Sequence, residues 1–552
     1  MKVILFTLLS FLFLSFLTAQ EDFTHLNKVR PVVKGQLLGY DVDRDDNVTV
    51  KLRCYEPGPH KTRTYEIPID KNGQFEHTFK YPIRFQYFQL SVGGFYYDWY
   101  TIDRELLFEV NMKDQRKGEE VIKLSGQDAE MNHYLQHYET TSKPTKMSPS
   151  TLNNILRDRE ATLEEKHAKL DEKFAEELKF EETFIDQNPS PFAWMLTENR
   201  LSKNYGSLFI CYSRNEMPDS LIQEVLSYQP RQMNKNTIID YYDYSVNFFY
   251  NRLTQSERLT YFKNDLFPTL DSPEKERLIA FLDSLALRIL GEDIQSKAFF
   301  KESSHFHNRY IEFYKEAALE KLIHMTSLMS AEQGDMVKLI GGGEDVLERR
   351  KFTAGVLPTM QTDWARNILQ EERKQDQKRL QLIDDRLSEM KIEETTADIG
   401  EQIGILPEGA PLFHAKYEEV DSLLLTLRAA YPDKDLILDI WTTWCSPCIG
   451  DMQQSAPKLA QLAATDIQVV YLCSSQAVKP EMWQKKVAEL NLNAHHIYMN
   501  DHLSTRLMER FQLRGFPSHL VIDKEGMYRA DVHVDNISRL DLERVQRELR
   551  SE

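Results

Sequence analysis

The stretch Asp439-Ile440-Trp441-Thr442-Thr443-Trp444-Cys445-Ser446-Pro447-Cys448 decides how the C-terminal part of this 552-residue chain folds. It begins within an apolar run, 436–441, of the length of one buried strand, and ends where a helical pattern sets in. Two cysteines separated by two residues at a helix start can close a disulfide within one turn. The first thiol then faces unpaired backbone amides and the positive end of the macrodipole, which favour thiolate over thiol, so Cys445 is the better nucleophile. Pro447 suits the first helical turn, where its missing N–H would find no intrahelical partner. Cys448 is set deeper, as a resolving thiol should be.

Downstream the pattern keeps alternating. It predicts a helix over 447–464, a strand over 467–473, a helix over 480–490, a short strand near Ile497 and a helix over 504–511. A strand over 518–523, a turn at Lys524-Glu525-Gly526, a further strand and a closing helix complete the chain. That order specifies an α/β domain with a central sheet.

Trp444-Cys445-Ser446-Pro447-Cys448 resembles the W-C-x-P-C active site of the thioredoxin superfamily, and Arg514-Gly515-Phe516-Pro517-Ser518 resembles the segment that carries the family's cis-proline. Both occur in the family's order. The resemblance implies a thioredoxin fold over 405–552, with Cys445 and Cys448 catalytic. It also implies a cis Pro517 beside the cysteines, and a substrate-binding rim of Trp444, Pro447, Gly515, Phe516 and Pro517. Asp439 matches the buried acid that thioredoxins hold behind the pair. A carboxyl in a strand between Leu438 and Ile440 would be raised in pKa by desolvation, suiting it to take the Cys448 proton. TlpA/ResA-like envelope members more often carry a neutral residue there. Where the family commonly bends its first helix with a proline, this chain has Gln453, and the nearest proline is Pro457. Ser446 replaces the usual glycine or acidic residue. No histidine lies between the cysteines to stabilise a strongly oxidising thiolate, which favours a reductant.

Other cysteine chemistries fit less well. A thiol peroxidase would need a proline where Leu438 stands, although Thr442 fills its threonine position. A zinc site would need two more ligands near the pair, and Cys473 lies in an apolar strand, so no metal is expected. His305-Phe306-His307 and His495-His496 lack a nearby third ligand and read as solvated histidines. Gly341-Gly342-Gly343 lacks the lysine and hydroxyl of a phosphate loop and reads as a turn. No nicotinamide or flavin motif is visible. No cofactor is implied, and electrons would come from an upstream dithiol donor. A rival from another class is an envelope-binding protein on a thioredoxin scaffold.

Upstream of 405 the chain reads as two further segments joined to the third by a polar linker, 396–404. Over 30–126 apolar residues alternate, as at Val48, Val50, Leu52 and Cys54 and at Phe75, His77 and Phe79, with a turn at Asp70-Lys71-Asn72-Gly73. This predicts a small antiparallel, all-β, sandwich-like domain. Over 127–395 the period is helical. Leu156, Leu163, Leu170, Phe174 and Leu178 lie on one face of what reads as a single long helix ending at Asn188-Pro189. Tyr241, Tyr242, Tyr244, Phe248, Phe249 and Tyr250 read as helix core. The architecture resembles multidomain TlpA/ResA-like thioredoxin proteins of Bacteroidetes envelopes.

The first residues, MKVILFTLLSFLFLSFLTAQ, place Lys2 before an apolar run and the small pair Thr18 and Ala19. They predict a signal peptide over 1–19 and a periplasmic or other extracytoplasmic location, with an uncleaved anchor as the alternative. No cysteine stands near the junction to carry a lipid. The chain has a formal charge of −18, 41% hydrophobic and 28% charged residues. These values exclude a polytopic membrane protein and argue against nucleic acid as a partner. The partners expected are protein thiols or disulfides of the cell envelope.

Overall fold

The protein is described by a computed structural model covering residues 29–550 except 46, 59–61, 113–121, 143–147, 159, 213–216, 235, 250–267, 269, 290–314, 343–345, 393–398 and 476–477. The expected leader 1–19, Tyr250, His305, His307, Gly343 and residues 396–398 of the expected linker lie outside the described residues. Among the described residues, no helix is long and apolar enough to cross a membrane. The chain divides into two units, Met1–Thr269 with Phe313–Arg373, and Leu270–Glu312 with Lys374–Glu552.

The first unit opens with eight strands: β1 (Val32–Leu38), β2 (Val50–Tyr55), β3 (Thr62–Ile67), β4 (Gln74–Thr78), β5 (Gln86–Val92), β6 (Phe95–Ile102), β7 (Glu105–Asn111) and β8 (Ile122–Ser125). They form two four-stranded sheets, β4-β1-β7-β8 and β3-β2-β5-β6. Val33, Leu37, Phe75 and Phe108 of one sheet share a core with Leu52, Cys54, Phe88 and Leu90 of the other. The Asp70 turn forms as expected, its carboxylate accepting from the Asn72 and Gln74 amides at 2.8 Å each, with Gly73 at φ 78°. The expectation of a wholly antiparallel domain is corrected at the centre of the first sheet, where β1 and β7 run parallel. A hairpin can join only antiparallel neighbours, but here the whole second sheet lies between the two strands in sequence and supplies the crossover.

Helices follow, and the expected single helix over Leu156–Leu178 is in fact two, Pro149–Arg157 and Leu163–Gln187. The second starts at a capping box. Thr162 Oγ1 accepts from the Glu165 amide at 3.2 Å and Glu165 Oε2 from the Thr162 amide at 2.7 Å, so two orphan donors are satisfied and the chain is stopped there. Tyr241 and Tyr242 sit in a π-helical turn, Asn236–Asp243, and are fully buried, with Tyr244 and Phe248 packed against the same core.

The second unit is built on six strands in the order β14-β11-β12-β13-β10-β9: β9 (Glu401–Ile405), β10 (Pro411–His414), β11 (Asp435–Trp441), β12 (Ile467–Ser474), β13 (His495–Met499) and β14 (Ser518–Ile522). β11, β12, β13 and β10 are mutually parallel, while β9 and β14 pair antiparallel at the edges. Strand alternation divides the central residues between the two faces. Leu438, Ile440, Val470, Leu472 and Leu520 point into one apolar core. Each such side chain, once buried, contributes about 1.5–3 kcal/mol. Asp439, Tyr471 and His519 lie at alternate positions and so occupy the opposite face.

Three expectations are corrected in this unit. Residues 401–404 of the expected linker belong to the edge strand β9, Glu401–Ile405. The helix expected over 447–464 is broken into Ser446–Met452 and Ala456–Leu462, with Pro457 in the first turn of the second, where its ring cannot continue the preceding helix. The strand expected after the Lys524 turn is reduced to one bridge, Ile522 to Tyr528.

Candidate active site

β11 delivers the cysteines. The strand ends at Trp441, the Cys445 amide donates to the Thr442 carbonyl at 3.1 Å to close a turn, and Cys445 caps the helix Ser446–Met452. The Cys448 amide donates to Cys445 Sγ at 3.2 Å, an interaction between an orphan helix donor and sulfur that favours negative charge on Cys445. Cys445 and Cys448 are joined as a disulfide with their Cα atoms 5.3 Å apart. In this oxidised form Cys445 is 4% and Cys448 1% exposed, so what access there is falls on Cys445.

Trp444 is 54% exposed beside them, its ring edge-on to Phe516 with 5.7 Å between centroids. The Phe516–Pro517 peptide is cis. The next residue, Ser518, pairs with Ile440 in the β14–β11 register, which puts the cis peptide beside the end of the strand that carries the cysteines. Ser518 Oγ donates to the Gly515 carbonyl at 2.7 Å and fixes that turn. A Cβ on Gly515 would meet nothing within 4 Å, so the backbone there borders open space. Trp444, Phe516, Pro517 and Gly515 thus form one rim, and Pro447 lies between the two cysteines on the helix.

On the face of the sheet opposite the apolar core lies a row of polar side chains that the sequence announced only at Asp439. The register sets Asp439 opposite His519 on one side and Tyr471 on the other, and Tyr471 opposite His496. Asp439 is 2% exposed, its Oδ2 is 3.6 Å from His519 Nε2, and its Oδ1 has no hydrogen-bond partner among the described residues. Burial raises the Asp439 carboxyl above its usual range, and His519 opposes that shift. Burial pulls the His519 imidazole down, but Asp439 and Asp451 outweigh it and raise it. Tyr471, buried, has its phenol pushed far up, and His496 stacks on its ring at 5.2 Å.

Asp451, one helical turn beyond Cys448, completes this cluster. Its carboxylate accepts from the Ile537 amide at 2.8 Å, the Ser538 amide at 3.1 Å and the Ser538 hydroxyl. Ligating atoms of Asp439, Asp451 and His519 lie within 4.8 Å of one another. With the Asp451 oxygens already committed to those three donors, two free groups remain, fewer than a structural or catalytic zinc requires. The trio is built as a buried charge cluster.

His519, Asp451 and Tyr471 escaped the sequence analysis. Asp451 had a local signal, the helical spacing from Cys448, whereas the other two depend on strand register. The expectation that His495 and His496 are solvated is corrected: both belong to β13, His496 is fully buried with Nε2 at 3.2 Å from the Leu492 carbonyl, and His495 Nδ1 bonds to the Tyr431 hydroxyl. Burial pulls both down to about 4. Cys54, Cys211 and Cys473 are free and buried.

Residues 408–545 match the Redoxin family model. This part of the chain has a thioredoxin-like α/β fold. Solved structures similar to the chain include a thiol:disulfide interchange protein from Bacteroides sp., at 18% identity over 18% of this chain and 65% of that one with a TM-score of 0.17. A second is the thioredoxin domain of a thiol-disulfide oxidoreductase from Bacteroides vulgatus, at 16% identity over 28% and 99% with a TM-score of 0.20. A third is a thioredoxin-like protein from Bacteroides caccae, at 14% identity over 42% and 82% with a TM-score of 0.15. The chain spans just under two thirds of the first of these, and likenesses at these scores carry no weight for function. No curated protein matches the chain.

Proposed function

We propose that the protein is an exported thiol–disulfide oxidoreductase that reduces protein disulfides of the cell envelope through Cys445 and Cys448. The observation that carries this is the disulfide itself, closed across the first helical turn with the Cys448 amide directed at Cys445 Sγ. In the cycle, the Cys445 thiolate attacks a substrate disulfide and one substrate sulfur leaves as thiolate. Cys448 then attacks Cys445 Sγ, forming the intramolecular disulfide and releasing the second substrate thiol. Asp439 accepts the Cys448 proton in that second step. Trp444, Pro447, Gly515, Phe516 and Pro517 seat the substrate chain, and an upstream dithiol re-reduces the pair.

The amino terminus with its single cation and apolar run, residues 1–19, supports export by a signal peptide to the periplasm or another extracytoplasmic space. We assign segments 30–126 and 127–395 to selecting the substrate or partner presented to the domain at 405–552. The test is dithiothreitol-driven reduction of insulin, read as B-chain precipitation. Catalysis by the mature protein that disappears in Cys445→Ser supports the proposal. Equal rates with and without Cys445 overturn it and leave binding as the main role.

A further inference from the structure

We propose that His519 is a positioning residue for the resolving step, keeping Asp439 ionised and therefore able to take the Cys448 proton; the inference rests on the oxidoreductase function proposed above. The difficulty it resolves is physical. A lone carboxyl sealed from water favours its neutral form, and a neutral carboxylic acid accepts no proton. Asp439 is 2% exposed with one oxygen unpartnered, so some neighbour must stabilise its charge if it is to act as a base.

The groups facing Asp439 from each packed element leave one candidate. Tyr471, from β12, is held protonated by burial and offers no positive charge. His496, from β13, is pulled down to about 4 and is neutral at physiological pH. Asp451, from the cysteine helix, is itself an acid tied to Ile537 and Ser538 and disfavours a second carboxylate. His519, from β14, lies 3.6 Å from Asp439 Oδ2 and is the only cationic group in ionic reach of it among the described residues. Its imidazole is itself drawn upward by Asp439, Asp451 and a backbone hydrogen bond at Val534. Strand pairing holds it in place, because His519 stands directly across from Asp439 in the β14–β11 register.

The step then balances. In the mixed disulfide, the Cys448 thiol passes its proton to the Asp439 carboxylate. The sulfur electron pair so freed forms the bond to Cys445 Sγ as the bond from Cys445 to the substrate sulfur breaks, and that sulfur leaves as a thiolate with the bonding pair. Asp439, now protonated next to His519, returns the proton to solvent or to the leaving thiolate.

The test uses the reduced full-length protein and 5,5′-dithiobis(2-nitrobenzoate), whose chromophoric thiolate is released once when Cys445 attacks and again when Cys448 resolves the mixed disulfide. In His519→Gln the first release should stay within about twofold of wild type. The second should slow by about tenfold or more at pH 6.5, with the deficit shrinking towards pH 9 as Asp439 ionises unaided. Adding His519→Gln to Asp439→Asn should change nothing further, since the histidine acts through the carboxylate. A deficit that is the same at every pH, one that strikes both releases equally, or one that persists in the Asp439→Asn background overturns the inference. Should His519→Gln fail to fold, NMR titration of the His519 ring in wild type and Asp439→Asn decides: the titration midpoint should fall by at least one pH unit in the variant, and an unmoved midpoint overturns it. If wild type shows no first release, or Cys445→Ser retains it, the oxidoreductase function itself fails and this inference with it. A wild type with both releases and an unaffected His519→Gln overturns this inference alone.

Discussion

His519 Nε2 and Asp439 Oδ2 face each other at 3.6 Å across β14 and β11, with side chains only 4% and 2% exposed. The pair lies on the opposite face of the sheet from the apolar cluster of Leu438, Ile440, Val470 and Leu472, so charge sits on one side of the central strands and that cluster on the other. Burying charge is costly unless it is paired, and such pairs cluster where chemistry needs a proton taken up or released. The disulfide stands at the end of the same strand.

The two cysteines should fail differently. Cys445→Ser should reduce disulfide turnover by a factor of about a thousand or more, because the attacking thiolate is gone. Cys448→Ser should instead accumulate a mixed disulfide on Cys445, visible as an added substrate mass by intact-protein mass spectrometry and lost on adding dithiothreitol. Trapping on Cys448 in Cys445→Ser at a comparable rate would reverse the assigned roles.

Trp444 projects from the rim and touches Phe516 edge-on. Truncation to alanine removes an exposed aromatic surface next in sequence to Cys445, and such aromatic anchors often dominate contact energy. Trp444→Ala should raise KM for a protein disulfide by about tenfold, or about 1.4 kcal/mol, with the reduction potential unchanged. A shift in potential without a change in KM would place Trp444 in the electronics of the disulfide instead of in docking.

Asp451 ties the cysteine helix to the segment at Ile537 and Ser538, and Ile537 is fully buried. Asp451→Ala leaves two backbone donors without their acceptor, a loss of about 1–3 kcal/mol. Hydrogen exchange at the 537–538 amides should accelerate by roughly 5- to 150-fold, that same range expressed as an opening equilibrium. Asp451→Asn retains an acceptor and should show less.

His495 and His496 bind protons less readily when folded than when unfolded, their values being pulled down to about 4 by burial. The unfolded chain therefore takes up more protons below its ordinary histidine value of about 6.5, and stability must fall as pH drops from there towards 4. Each histidine contributes on the order of 3 kcal/mol to that decline. His496→Phe, which keeps the stack on Tyr471, should flatten the Tm-against-pH curve between pH 6.5 and 4. An unchanged slope would mean His496 is not sealed from water.

The cysteine motif was legible because its information is local, residue type and spacing sufficing to place Cys445 at a helix start, whereas the cis Pro517 was expected from the family resemblance of its segment. Glu401–Ile405 was not, since an edge strand with only Ile403 and Ile405 to bury looks like a polar linker. The break before Leu163 was written in Thr162 and Glu165, yet the heptad of leucines running through it carried the stronger periodic signal. The facing of His519 and Asp439 depends on a register between strands separated by most of the domain, and no local pattern encodes that.

The most direct test of the account is the equilibrium reduction potential of the Cys445–Cys448 pair in the mature protein, titrated against dithiothreitol. A value near that of thioredoxin, about −270 mV, is predicted and fits a reductant of envelope disulfides. A value above about −180 mV would make the protein an oxidant or isomerase, and a pair that forms no disulfide at any poise would contradict the account outright.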